Sequence, residues 1–437
     1  MRTPAHRPES PHPPTLSRRS LLSAAGTAAL AVPALAACGG GSGNGKAELT
    51  FWWWGDDTRA AITEKVLKLY TKQHPKVTFK SKWLGYDGYY DLLKTNVAGN
   101  TAPDIFQIDE DGLADFATRG ATMDLSDVIG HQIKIDQFAG SIGKTGMVDG
   151  KRVAIPAAEN TAALIWDKTA ATKYGVGDLK EGMSWDDFVD WAAEITKASN
   201  GKVYGTADPS GSFEALEVWL RQRGKDAYNG SKLAFTTGDL TEWWQYWVDA
   251  HKKKATPPPD VTHVTNQGDI TKDLISTGTG ATALEWSNQL EAQAALTKNE
   301  LGITTFPGDV HAAWARASMF WSVYSGTHYK DQALDVVNFL VNSVAAGKVL
   351  GAERGLAVNT EVRGKVESSL TPAMKESVAF ESALSSRFGA PPQTPPAGHT
   401  ELRDNLVTES ENVIYGRKKP AEAAKDFVSE AADILSG

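Results

Sequence analysis

From Glu48 onward, short apolar runs alternate with stretches whose apolar residues recur at helical spacing, and few folds accommodate that rhythm. Glu48–Trp54, ELTFWWW, is an apolar and aromatic run of strand length. Gly55, Asp56, Asp57 and Thr58 supply a turn and a helix N-cap, with Asp57 the expected cap. Ile62, Val66 and Leu69 then share one helical face, and the helix ends near His74 and Pro75. Val77, Phe79, Ser81 and Trp83 alternate as a second strand. Tyr90, Leu93 and Val97 mark a second helix, and Asp104 to Ile108 a third strand. Strand, helix, strand, helix, strand predicts a parallel sheet with helices packed on it.

The rhythm resumes after Gly150. Val153–Pro156 and Ala163–Trp166 read as strands, and Ser184 with Asp187 as a capping box opening a helix that buries Phe188, Trp191 and Ile195. Val203–Thr206 reads as a strand, Phe213–Arg223 as a helix stopped by Gly224, and Trp243, Tyr246 and Trp247 as one face of another helix. The run Lys252 to Lys254 is a solvated helix end, and Pro257 to Pro259 a loop. Ala281–Trp286, Ile303–Phe306 and Ala315–Tyr324 read as further strands, with a mostly helical remainder. The pattern predicts a two-domain α/β protein.

Cys38 is the single cysteine, and it follows Leu35, Ala36 and Ala37 at the end of an Ala-rich apolar stretch starting at Leu21. Arg2, Arg7, Arg18 and Arg19 precede that stretch as a basic n-region. The stretch is short for a membrane span and contains Pro33, so residues 1–37 are expected to be a cleaved lipoprotein signal peptide with lipid on Cys38. Ser17 to Leu22 resemble the twin-arginine export motif without its usual Phe and Lys, so both export routes stay open. Gly39 to Gly45 then form a flexible tether within 38–45. The expected address is the outer face of the cytoplasmic membrane, or its periplasmic side in a Gram-negative cell, with the anchor a diacyl one.

Removing residues 1–37 takes the formal charge from −8 to about −11, which argues against nucleic acid and anionic membrane as partners. With Cys38 lipid-modified no disulfide is available, so stability must come from core burial. Nine histidines lie scattered with no pair at helical metal spacing, and Asp109, Glu110, Asp111, Gly112 do not follow the calcium-loop pattern, so neither metal nor cofactor is expected. The chain has no GxxxxGK[ST], GxGxxG or GxSxG. Paired carboxylates for glycoside hydrolysis are set by their separation in space, so a surface-anchored glycosidase stays as a rival.

Fourteen tryptophans all fall beyond the leader. Flat aromatic faces suit the C–H faces of sugar rings, and nearby Asp, Asn, Glu and Arg can bond the hydroxyls at the ring edge. Ligands of open α/β sheets sit beyond the carboxyl ends of strands. There lie Trp54, Asp57 and Arg59 after the first strand, Asp109 after the third, Glu159 and Asn160 at a crossover, and Glu285, Trp286 and Asn288 at a late strand. At least one of Trp52, Trp53 and Trp54 must face a core, and helix-borne tryptophans such as Trp191 or Trp243 are packing residues.

Seven segments in order, LTFWWWGDDTR (49–59), WLGYDGYYDLL (83–93), APDIFQID (102–109), IPAAENTAALIWDK (155–168), EVWLRQRG (217–224), ALEWSNQ (283–289) and SGTHYKDQALDVVNFLVNS (325–343), carry a family likeness. From about Lys46 to its end the chain resembles the extracellular solute-binding proteins of carbohydrate ABC importers, the family of maltose-binding protein. The resemblance implies a periplasmic-binding-protein-like, type II Venus-flytrap fold. Lobe one would comprise 46–155 and 310–358, lobe two 156–309 and 359–437. It implies a monomer, not an enzyme, that closes on a mono- or oligosaccharide and presents it to the membrane permease. Carried over by position, the substrate-binding candidates are Trp54, Asp57, Arg59, Tyr86, Asp109, Glu159, Asn160, Trp219, Trp286, Asn288, Trp321 and Arg354. The likeness departs at 390–402, APPQTPPAGHTEL, where the family's C-terminal aromatic platform is missing; this argues against a maltodextrin and leaves Trp219 or Trp321 for that role. Arg59 and Arg354 leave an acidic sugar open, a neutral oligosaccharide being the simpler expectation. A sugar sensor or adhesin without import needs the same clamp.

Overall fold

The computed structural model describes residues 46–266 and 269–436, so the leader, Cys38 and the tether lie outside the described residues. The three strands expected first are β1 (Ala47–Trp54), β2 (Val77–Leu84) and β3 (Ile105–Ile108), with β2 and β3 paired parallel on either side of β1. The chain then runs through β4 (Ile155–Asn160), β5 (Ala162–Asp167), β6 (Thr282–Trp286), β7 (Leu301–Thr304) and β8 (Arg316–Val323). They build a five-stranded sheet in the order β2-β1-β3-β8-β4 and a three-stranded sheet in the order β6-β5-β7. β8 lies antiparallel between β3 and β4, and both pairings of β5 are antiparallel. The fold is therefore α/β with two main sheets and two small two-stranded ones among the described residues, and only β1–β3 repeat the parallel unit read from the sequence.

Side-chain alternation along β1 explains its three tryptophans. Phe51 and Trp53 enter one core with Trp321 and the helix Lys330–Asn342, while Trp54 faces the other side of the sheet with Tyr90, Phe106 and Phe320. The largest core surrounds the second sheet, where Trp185, Trp219, Trp243 and Trp247 pack edge to face, with ring centroids 5.2 Å apart for Trp185 and Trp219. That geometry suits the aromatic quadrupole and fills space that aliphatic residues would need many more positions to fill.

Three local expectations differ from the structure. Asp56, not Asp57, caps the helix Asp57–Gln73: its Oδ1 accepts from the amide of Arg59 at 2.8 Å, because Asp56 holds the extended backbone a cap requires. Val203–Thr206 is not a strand and retains one bridge, Tyr204 to Gly280. Here Gly205 lies directly on the backbone of the helix Trp185–Ala198, so close that a Cβ would fall 1.9 Å from the Ala192 carbonyl oxygen. Pro259 opens a short helix, Pro259–Thr265, as its fixed φ and missing N–H suit the first turn. Ser184 does cap the helix from Trp185, accepting from the amide of Asp187 at 3.1 Å.

The two sheets are joined tightly. Only Thr161 separates β4 from β5, and its buried Oγ1 donates to the carbonyl of Trp314 at 2.8 Å, on the return path from β7 to β8. Among the described residues no single helix is long and apolar enough to cross a membrane.

Candidate functional site

β1 and β3 end beside each other, as parallel strands must, and the turns that follow them form one side of a cavity of about 1060 Å³. Trp54, Arg59 and Asp109 contribute from this side, joined by Tyr86 from the helix Tyr86–Ala98 that follows β2. Leu284, Glu285 and Trp286 at the end of β6, with Asn288 beyond it, contribute from the second sheet. Asn160 at the end of β4, Arg316 at the start of β8, and Arg403 from the helix His399–Ile414 complete the lining.

Trp54 and Tyr86 meet edge to face, centroids 5.5 Å apart, and Tyr90 supports Trp54 from 5.7 Å. Tyr86 keeps 40% of its surface exposed, so its ring is open to a guest. Its hydroxyl donates to Asp109. Asp109 is held from below: its Oδ1 caps the next helix by accepting from the Gly112 amide at 2.9 Å, and its own amide donates to the Tyr90 hydroxyl at 2.9 Å. Burial, then the neighbouring Asp111 carboxylate, raises the Asp109 pKa, and burial with Asp109 nearby keeps Tyr86 a neutral phenol.

Across the cavity Trp286 lies on Arg316, whose guanidinium carbon is 4.5 Å from the ring centroid. Arg316 is clamped by Glu110 at 3.1 Å and Asp111 at 3.0 Å. Asp111 also takes Arg403 at 2.5 Å and His399 at 3.5 Å, and Arg403 reaches Glu214 at 3.5 Å. Burial opposes ionisation of Asp111, but the two guanidiniums and His399 outweigh it and hold the carboxyl far below the ordinary range. This cluster lashes the first turn after β3 to the helix His399–Ile414. Glu285 has a carboxyl neighbour instead: burial and Asp273, its hydrogen-bond partner, push it well above the usual range, and burial lifts Asp273 to about 6. Asn160 donates to the Asn288 Oδ1 at 2.9 Å, while its own buried Oδ1 has no partner.

Seven of the twelve residues proposed from sequence therefore line one cavity: Trp54, Arg59, Tyr86, Asp109, Asn160, Trp286 and Asn288. The other five sit elsewhere. Asp57 is exposed on the first helical turn, where its neighbours Asp56 and Thr58 reach the cavity and it does not. Glu159 points to the opposite side of β4, ion-paired with Arg363 at 2.8 Å, because adjacent strand residues face opposite ways. Trp219 and Trp321 are 3% and 2% exposed, so neither is a platform for a ligand. Trp219 is sealed by Arg223 at 3.3 Å, and Trp321 packs on Phe51. Arg354 is buried beneath the site, bonded to Gln107 at 3.0 Å and Thr63 at 2.8 Å, and burial lowers its guanidinium to about 9. It braces Glu353 at 3.2 Å, which in turn grips Arg59 at 2.5 Å.

The sequence does not mark Asp111, Glu214, Arg316, Glu353 and Arg403 as residues that line this cavity. Asp111 stood in the acidic run after β3, where an N-terminal helix turn was the signal available. Arg403, 292 residues from Asp111, offered none.

An aromatic-rimmed cavity set between the carboxyl ends of one sheet and the edge of a second defines a two-lobed α/β binding protein. The chain belongs to the bacterial extracellular solute-binding proteins, whose family model matches residues 65–378. It is 24% identical over 443 residues to the diacetylchitobiose binding protein DasA of Streptomyces coelicolor, covering 94% of this chain and 98% of that protein. Among solved structures it is similar to an extracellular solute-binding protein of family 1 from Alicyclobacillus acidocaldarius, at 29% identity and a TM-score of 0.68, covering 90% of this chain and all of that one. The fold is also that of a periplasmic oligogalacturonide binding protein from Yersinia enterocolitica in complex with saturated digalacturonic acid, with a TM-score of 0.78 at 20% identity over 90% of this chain and 99% of that chain.

Proposed function

We propose that this protein captures a mono- or oligosaccharide in the cavity between β1, β3 and β6 and delivers it to the permease of an ABC importer. The observation that carries the reading is the pairing of Trp54 at the end of β1 and Tyr86 on the helix after β2 with Trp286 of the second sheet around about 1060 Å³ of space. Aromatic faces at both walls with carboxylates and amides between them match the two chemistries of a sugar ring, apolar faces and a polar edge. The cavity is at the upper end of the roughly 300–1,000 Å³ range of small-molecule sites, large enough for more than one ring. Membership of the solute-binding family and the diacetylchitobiose named for DasA support a saccharide.

In this reading the protein binds and releases without turnover, as a monomer tethered through lipid on Cys38 at the outer face of the membrane. Trp54, Arg59, Tyr86, Asp109, Asn160, Trp286 and Asn288 contact the ligand, and Arg354 acts through Glu353 and Arg59. Lobe one is 46–155 with 310–358 and lobe two 156–309 with 359–437; the pairing of β4 with β8 favours drawing the first crossover at Thr161. A ligand touching both walls has differential affinity for the closed form, and that difference alone shifts the population. A micromolar Kd corresponds to roughly −8 kcal/mol, within reach of stacked aromatics and several hydrogen bonds to charged groups after the costs of closure.

A thermal-shift screen of the purified protein against mono- and oligosaccharides tests this. Saturable stabilisation by one glycan class, with the glycan recovered intact, is expected. No shift with any saccharide, or recovery of cleaved glycan, would overturn it.

A further inference from the structure

The cavity has an uneven charge. Among the described residues, eight with carboxyl groups line it against three guanidiniums, Arg59, Arg316 and Arg403, and no lysine. All three guanidiniums are already engaged. Arg59 is bound to Glu353 at 2.5 Å, Arg316 to Glu110 at 3.1 Å and Asp111 at 3.0 Å, and Arg403 to Asp111 at 2.5 Å. Arg354, which from sequence left an acidic sugar open, lies outside the cavity with Gln107, Thr63 and Glu353 as partners. Among the described lining residues no cation is left unpaired to meet an incoming carboxylate. Acceptors, by contrast, wait for donors: among the described residues the buried Oδ1 of Asn160 has none, and Glu285 faces another carboxyl, Asp273.

We propose that the cleft is a charge filter, admitting neutral and amino saccharides and refusing acidic ones. The inference rests on the saccharide reading above and goes beyond it to the ligand's charge. A uronate placed here would have to displace Glu353 from Arg59 or Asp111 from Arg316, or lie desolvated beside like charges, and either course weakens its binding. An ammonium or a hydroxyl donates to the carboxylates without disturbing any pair. Protonation of Asp109 and Glu285, which burial favours, reduces the excess negative charge without reversing it.

The test is a calorimetric titration of the protein with β-1,4-linked dimers and tetramers of glucose, N-acetylglucosamine, glucosamine and glucuronic acid, in 20 mM and 150 mM salt at pH 6. The acidic oligomers are expected to bind at least about 100-fold more weakly than the best neutral or amino oligomer. Added salt should narrow the gap, since screening weakens repulsion. Glu353→Gln frees Arg59 and is expected to strengthen binding of the acidic oligomers about tenfold while the neutral ones change less. Acidic oligomers that bind as well as the best neutral or amino one would overturn the filter and leave the saccharide reading standing. Silence from all four series, with no thermal shift from any other saccharide, would overturn both.

Discussion

Glu381 sits in the helix Pro372–Leu384 at 2% exposure, with Ser287 donating to one carboxyl oxygen and no partner for the other. Burial, reinforced by the Glu159 carboxylate, pushes its pKa up to about 8 against Arg363 and the Ser287 hydrogen bond. In the unfolded chain the group ionises near 4.5. Below that value both states hold the proton and Glu381 carries no pH-dependent cost. As the pH rises the unfolded state loses its proton and the folded state keeps it, so stability falls until about pH 8, where the cost saturates. At about 1.4 kcal/mol per pH unit over this span, the full cost comes to about 5 kcal/mol. Glu381→Gln keeps the acceptor for Ser287 and cannot ionise. In urea unfolding at pH 5, 6.5 and 8, the variant's stability relative to wild type is expected to improve by at least about 2 kcal/mol from the lowest pH to the highest. A difference that stays flat with pH, or moves the other way, would refute burial as the cause.

Trp286→Ala removes one aromatic wall and should raise the saccharide Kd about 10- to 100-fold in calorimetry, at a temperature well below the variant's own melt; an unaltered Kd would remove Trp286 from the ligand site. Asp111→Asn leaves Arg316 and Arg403 with only Glu110 and Glu214 and should cost about 3–5 kcal/mol at neutral pH in urea unfolding. Because Asp111 is held below its unfolded pKa, its contribution is present above about pH 4 and is lost as the pH falls below it, so the gap to wild type should close in acid. Gly205→Ala forces a methyl group into the Ala192 carbonyl and should destabilise by about 1–3 kcal/mol, read as a lower melting temperature with binding retained at 25 °C.

Much of the five-stranded sheet was legible because each of its first strands carries its own local signal. β1 and β2 are apolar or alternating runs bounded by helix caps, and the place of Trp54 on the cavity wall follows from nothing more than its position at the carboxyl end of β1. Trp286 was found the same way at the end of β6. Trp219 and Trp321 were not separable from them, since core and cleft both favour tryptophan and burial depends on which neighbours arrive. Trp219 needs Trp185 and Trp243 beside it, and Trp321 needs Phe51. Glu159 and Asn160 differ only in strand parity, which no composition reveals. The ion cluster was the least visible, because Asp111, Arg316 and Arg403 come from three distant segments and their meaning arises only on contact.

Isothermal titration of wild type and of the Trp54→Ala, Trp286→Ala double variant with the saccharide selected by the thermal screen tests the capture of a sugar between the two walls most directly. One intact glycan bound per chain with a micromolar or tighter Kd, and loss of the heat in the double variant, is the predicted result. Equal binding by the double variant, or conversion of the glycan during the titration, would contradict it.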